Sequence, residues 1–336
     1  MSKVFIIAEI AQAHEGSLGI AHSYIDALSE TGVDAVKFQT HIAEAESSVN
    51  EEFRINFSYE DKTRYDYWKR MEFSFEEWMS LKKHCEDKQL EFISSPFSCK
   101  AVDLLEKVGV SKYKIGSGEV NNFLLLEKIC NTSKDILLSS GLSSFKEIDS
   151  AIDFINQKKT GNKVSLFQCT SMYPTPPPEW KLNLINKFIK RYDLPIGYSD
   201  HSGDIFASLA AVSLGAKLIE FHAVFDKKMF GPDSSSSLNL KQITNLVKGI
   251  RMIESSISIY NEKKDFDGIY KMKNLFEKSL CINKNLEKGD FITINDLDSK
   301  KPKNQGINAN EFKKIIGKKI NKNKEKWSFL NYNDLE

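Results

Sequence analysis

Eight short apolar segments, each ending in residues fit for chemistry, run through the first two thirds of the chain and set the strongest limit on its fold. In order they are VFIIAE, VDAVKFQ, LEFISS, YKIGSGE, DILLSS, VSLFQCTS, PIGYSDH and KLIEFH. Their polar ends supply Glu9, Lys37, Gln39, Ser94, Ser95, Lys114, Ser117 and Glu119, then Ser139, Ser140, Thr170, Ser171, Ser199, His201, Glu220 and His222. Between them, helical periodicity occupies about 17–31, 75–88, 100–109, 122–132, 144–158, 180–191, 204–214 and 238–258. This alternation predicts βα units on a parallel sheet. Continuous apolar runs such as FIIA and DILL fit strands buried on both faces. Eight such units predict an α/β chain folded as a TIM (β/α)8 barrel, which carries its active site at the C-terminal ends of its strands.

A barrel needs about 250 residues, so a chain of 336 has a remainder. The expected division is a barrel over 1–260, a charged linker over 261–274 and a small β-like module over 275–336. The connection at 40–74 is far longer than the few residues usual between strand and helix. It carries Phe53, Phe57, Tyr59, Tyr65, Tyr67 and Trp68 among charges. It reads equally as a lid or substrate wall and as an interface of an oligomer.

The formal net charge of +1 gives no global field to hold nucleic acid or an anionic membrane. The five cysteines, Cys85, Cys99, Cys130, Cys169 and Cys281, are widely spaced and form no CxxC, which predicts reduced thiols and a cytoplasmic protein. Glu9 interrupts the N-terminal apolar run, so that run reads as a strand and not as a signal peptide. No apolar stretch reaches the length of a membrane span.

His201 and His222 fall at the ends of neighbouring strands, where two imidazoles can share one divalent metal. With only two histidines and nearby carboxylates (Asp200, Glu220, Asp233), such a site keeps open positions and suits Mn2+ or Mg2+ better than a closed zinc site. Glu220 is expected to point elsewhere. Lys37, Lys114, Ser95, Ser117, Ser139 and Ser199 converge as an anion pocket, with Gly116 and Gly118 admitting backbone N–H groups. Ser171 is counted with the same substrate-binding group. Glu9 reads as a general base, as an acceptor for a sugar hydroxyl, or as an ion pair with Lys37. Asp233, in a Gly-Pro-Asp turn, reads equally as a substrate contact and as a plain turn. His14 is expected behind the site, and His22, His41 and His84 are expected on the surface without function.

In order, the segments AEIAQAHEGS, VDAVKFQTH, FISSPF, YKIGSGEVNN, ILLSSGLSS, CTSMYPTP, IGYSDHSG, AVSLGAKLIEFH and GPDSSSSL resemble the motifs of the sialic acid synthase family. The tail segments LEKGDFITINDL and KKPKNQGI resemble that family's C-terminal antifreeze-like (SAF) module. The resemblance implies an enzyme that condenses phosphoenolpyruvate with an N-acylated hexosamine, opened to its aldehyde, to give a nine-carbon 2-keto acid. It implies that His201 and His222 bind Mn2+ or Mg2+, and that Lys37, Ser95, Lys114, Ser117, Ser139 and Ser199 hold phosphoenolpyruvate. Gln39, Tyr173 and Asp233 take the sugar-side positions, Glu9 and Glu119 are the catalytic carboxylates, and His222 counts with them. It also implies a homodimer in which one tail module reaches over the partner's barrel.

Four positions depart from the family pattern: Ala13 stands for its Asn, Gln168 for a His, Phe221 for a basic residue, and Lys301 for the Arg that reaches the neighbour's sugar site. Lysine keeps the charge but not the planar fork. Two other readings stay open: a phosphoenolpyruvate-dependent synthase acting on a phosphorylated aldose, and a sugar-binding homologue without catalysis. If the tail completes the site, deleting residues 275–336 lowers turnover well beyond any loss of thermal stability. A truncated barrel with full activity would refute that role.

Overall fold

The computed structural model describes residues 3–55, 57–257 and 268–336. The described chain forms two units, residues 1–259 and 260–336. In the first, the predicted strands are Phe5–Ala11 (β1), Ala35–Thr40 (β2), Glu91–Pro96 (β3), Lys112–Ile115 (β4), Asp135–Ser139 (β5), Val164–Cys169 (β6), Ile196–Asp200 (β7) and Leu218–Val224 (β8). They pair in sequence order, all parallel, and β1 also pairs with β8, which closes the barrel. Helices follow at Leu18–Ser29, Phe75–Asp87, Cys99–Val108, Phe123–Cys130, Phe145–Lys158, Asn183–Arg191, Phe206–Ser213 and Leu240–Ile257, within the stretches that periodicity marks. Two start signals are explicit: Ser74 with Glu77, and Ser144 with Glu147, form reciprocal capping boxes. Among the described residues, no helix is long and apolar enough to cross a membrane.

Strand side chains alternate between two faces, and here the two faces bury against different things. Outward residues, among them Ile6, Ala8, Val36, Phe38, Tyr113, Leu138 and Ile219, pack under the helices in one large core. Inward residues form a separate plug: Ile7, Ala35, Ile93, Leu137, Phe167 and Leu218, contributed by six of the strands. Phe167 is fully buried at the centre. Gly197 on the adjacent β7 makes room for it, since a Cβ at that position would lie 2.7 Å from two atoms of the Phe167 ring.

The 40–74 connection carries helices Ala43–Glu46 and Arg64–Met71. It has its own apolar cluster of Ala43, Tyr67, Trp68 and Met71, with Phe53, Phe57 and Tyr65 packed against them. In the second unit, the strands Ser279–Ile282 and Leu297–Lys300 pair antiparallel. They sit over a small core of Leu280, Ile282, Leu286, Ile292, Ile307, Ile315, Ile320 and Leu330. The module also carries a 3-10 stretch, Ala309–Lys314. Of the expected linker at 261–274, residues 261–267 lie outside the described residues. The remainder largely belongs to a helix, Ile269–Phe276.

Because an added Cβ would lie 2.7 Å from the Phe167 ring, Gly197→Ala overpacks the plug and destabilises the barrel by about 1–3 kcal/mol. Urea unfolding followed by tryptophan fluorescence should show the lower midpoint. An unchanged midpoint would mean that the plug is loosely packed.

Candidate active site

The inward phase of each strand continues past the plug and changes chemistry there. Two residues after Ile7 comes Glu9; after Ala35, Lys37; after Ile93, Ser95; after Leu137, Ser139; after Phe167, Cys169; after Gly197, Ser199; after Leu218, Glu220 and then His222. One apolar layer therefore seals the barrel, and a polar layer rests on it. These polar residues line a cavity of about 580 Å3, together with Gln39, Lys114, Ser117, Glu119, Ser171, Tyr173, His201 and Asp233. The structure thus brings every barrel residue expected at the site to one cavity. Lys301 belongs to the second unit, where its Nζ lies 4.8 Å over the Phe276 ring.

The floor is a buried, charge-balanced network. Lys37 pairs with Glu9 and donates to Ser95 Oγ at 3.3 Å. Lys114 pairs with Glu220 Oε1 at 2.6 Å, and Ser199 Oγ donates to the same oxygen at 3.0 Å. Glu220 Oε2 lies 3.9 Å from Lys37, so the two pairs form one network. All four side chains are at least 94% buried. Glu220 is not turned away, as was expected. It lies two residues before His222 on one strand, and residues two apart share a face.

The two carboxylates titrate in opposite directions. Burial raises Glu9 above the ordinary carboxylate range, with Lys37 opposing and Glu220 adding to the rise. Burial also pushes Glu220 up, but Lys114 and then Lys37 outweigh it and bring it down to about 2. A buried carboxyl whose pKa is raised beside one whose pKa is lowered is the environment in which acid and base roles separate. Glu119, half-buried at the rim, is also raised by burial and accepts from Asn122 Nδ2 at 2.7 Å.

In register with Glu9 on the neighbouring strand stands His222, whose ring lies 5.3 Å from that of His201 between centroids. His201 Nδ1 contacts the Thr170 carbonyl at 2.9 Å, which leaves Nε2 available. Burial works against charging His201, but the Cys169 sulfur, 3.9 Å from Nδ1, leads the effects that raise it to about 9. Burial lowers His222 to about 3, with Asp233 opposing and His201 adding. Tyr173 packs 4.2 Å from His201 and edge-on to His222 at 5.9 Å. Among the described residues, no group of three or more His, Cys, Asp or Glu side chains is placed to hold a metal ion. The donor set on offer is two imidazoles, one oriented by a carbonyl, and this fits a divalent ion whose other positions are filled by water or substrate. Asp200 is off phase and faces outward, accepting from Ser208 Oγ at 2.7 Å.

Sequence reasoning missed several lining residues. His41 is buried, contrary to the surface placement expected for it. It stacks between Trp68 at 3.9 Å and Phe97 at 4.6 Å. Its Nδ1 contacts Glu46 at 2.6 Å and its Nε2 contacts Gln12 at 3.0 Å. It continues the inward phase of Lys37 and Gln39, so the period of two was the available signal. Gln39 in turn donates to Glu9 at 3.0 Å. Arg54 comes from the long connection and had no such signal. His14 is buried behind the wall against Phe73, accepting from the Gly16 N–H at 3.1 Å. His22 and His84 contact each other between two outer helices. Phe221 and Gln168 are off phase: Phe221 lies in the outer core, and Gln168 donates to the Cys169 carbonyl. Neither replacement faces the cavity.

Comparison with known proteins places this architecture. The chain belongs to the NeuB family, which it matches over residues 24–262. It is 34% identical to the N,N'-diacetyllegionaminic acid synthase of Campylobacter jejuni, over 95% of this chain and 96% of that one. It is 31% identical to the human N-acetylneuraminate-9-phosphate synthase, over 94% of this chain and 88% of that one. The crystal structure of the sialic acid synthetase from Leptospira borgpetersenii, in complex with citrate, superposes with a TM-score of 0.71 at 30% identity, covering 81% of this chain and 91% of that one.

Removing one charge from the floor leaves a buried lysine unbalanced. Glu220→Gln should cost about 3–5 kcal/mol, read as a lower urea midpoint. A midpoint equal to that of the unaltered protein would show that Lys114 finds compensation elsewhere.

Proposed function

We propose that this protein condenses phosphoenolpyruvate with the open-chain aldehyde of an N-acylated hexosamine and water, giving a nine-carbon 2-keto sugar acid of the sialic, legionaminic or pseudaminic type and inorganic phosphate. The observation that carries this reading is one cavity that holds two buried lysines, a set of serines, two imidazoles and Asp233. Lys37 and Lys114 share it with Ser95, Ser117, Ser139 and Ser199, and Tyr173 packs on both His201 and His222. At about 580 Å3, the cavity is in the range of pockets that enclose small ligands. The names of the relatives point the same way.

In this reading the lysines and serines hold the phosphate and carboxylate of phosphoenolpyruvate as charge-assisted hydrogen-bond donors. The arriving anion competes with Glu9 for Lys37 and with Glu220 for Lys114. Its C3 attacks the aldehyde carbon, whose oxygen becomes a hydroxyl. Water adds at C2, and the C–O bond to phosphate breaks to leave the 2-keto acid. Glu9, raised by burial and hydrogen-bonded to Gln39, is suited to take the proton of that water. The lysines stabilise the departing phosphate. A divalent ion on His201 and His222, Mn2+ or Mg2+, would supply Lewis-acid polarisation of the acceptor oxygen. The second unit is read as the antifreeze-like module of the family.

The direct test is phosphate release from phosphoenolpyruvate with Mn2+ and a panel of acceptors: N-acetylmannosamine, its 6-phosphate, 2,4-diacetamido-trideoxyhexoses and arabinose 5-phosphate. Release with an N-acylated sugar, abolished by EDTA, is the expected result. His222→Ala should lose turnover by at least about 100-fold while retaining phosphoenolpyruvate binding. Release with arabinose 5-phosphate alone, or none with any acceptor, would overturn the reading.

A further inference from the structure

We propose that Arg54 is an acceptor-specificity residue of the reaction proposed above, and that with Asp233 it forms a neutral donor–acceptor clamp selecting an uncharged acylamido sugar. Arg54 lies in the long connection after β2, remote in sequence from every strand end, yet it lines the same cavity. Its Nη2 donates to Asp233 Oδ1 at 2.6 Å. Its guanidinium carbon lies 4.2 Å from the centroid of the Tyr173 ring. Tyr173 packs on His201. Arg54 therefore covers Tyr173, and Tyr173 packs on His201, so the three side chains form one continuous part of the cavity wall.

The segment is held in place on both sides. Phe53 packs against Phe57 and Tyr67, and Phe57 and Tyr59 meet Phe230 at 5.4 and 5.8 Å. The guanidinium itself stays reachable, with 40% of its side chain exposed. Among the described residues, its Nε and Nη1 make no hydrogen bond. Arginine carries five N–H donors in a rigid plane, so donors remain for a ligand while one end is fixed on Asp233.

Charge decides the class of ligand. An unpaired arginine at a cavity mouth would favour a phosphate. Here Arg54 is balanced by Asp233, and Arg64, also on the wall, is paired with Glu51 at 3.2 Å. The mouth thus offers N–H donors beside carboxylate acceptors with little net charge. That pattern matches amide carbonyls and hydroxyls, which accept and donate, and not a second phosphate group. A lysine at this position would keep the charge without the stacked, planar fork.

The test uses the full chain, with Arg54→Ala, Arg54→Lys and Lys301→Ala, assayed for phosphate release and, separately, for acceptor binding by calorimetry. Arg54→Ala should raise KM for the N-acylated hexosamine about tenfold or more, with KM for phosphoenolpyruvate and thermal stability unchanged. Arg54→Lys should not recover the loss. The unaltered protein should also prefer the neutral sugar to its 6-phosphate. An acceptor KM within twofold of normal in Arg54→Ala, with a rise in Lys301→Ala instead, would overturn the proposal, as would a preference for the 6-phosphate. If the unaltered protein binds the sugar without turnover and Arg54→Ala abolishes that binding, Arg54's role stands while the proposed reaction falls.

Discussion

Everything about this site depends on one constraint: inside a closed barrel of parallel strands, every second side chain must share the same narrow interior. Eight strands leave room for side chains and little else. The chain fills the first level with Ile7, Ala35, Ile93, Leu137, Phe167 and Leu218, and shrinks Gly197 to admit the phenylalanine ring. Once that level is dry and close-packed, the next inward residue on each strand has a fixed height and direction. Glu9, Lys37, Lys114, Ser199 and Glu220 are thereby placed by apolar packing beneath them. A lysine whose Nζ rests 4.9 Å from the Phe167 ring has few other places to go.

Packing four charged side chains together without solvent is costly unless each is compensated. The floor meets that condition internally, two ammonium groups against two carboxylates, so the barrel folds without needing a ligand there. The same balance makes the floor responsive. An anion that takes the lysines sets both carboxylates free to change partner or protonation. The divergent titration of Glu9 and Glu220 shows that the two are not equivalent: burial raises one, and two cations bring the other down.

Much of this was legible in the sequence because a strand end carries its own label. A run of buried residues that breaks into Lys, Ser, His or Glu marks both the strand and its functional tip. The period of two, applied consistently, would also have found Glu220 from His222 and His41 from Lys37 and Gln39. Arg54 was not legible. It belongs to a segment whose shape is set by a local aromatic cluster and by contacts with residues near 230, and no periodicity records such contacts. The helix Ile269–Phe276 was hidden for another reason: it is short and follows the charged run NEKKDFD of the sequence. The conspicuous replacements at Gln168 and Phe221 proved to face away from the cavity, so their chemistry bears on packing.

The apolar layer also fixes how deep the cavity can be. Ile7, Ala35, Ile93, Leu137, Phe167 and Leu218 fill the barrel beneath the polar residues, and none of them lines the cavity. A phenylalanine that is no part of the cavity lining thus decides where the chemistry of the barrel begins.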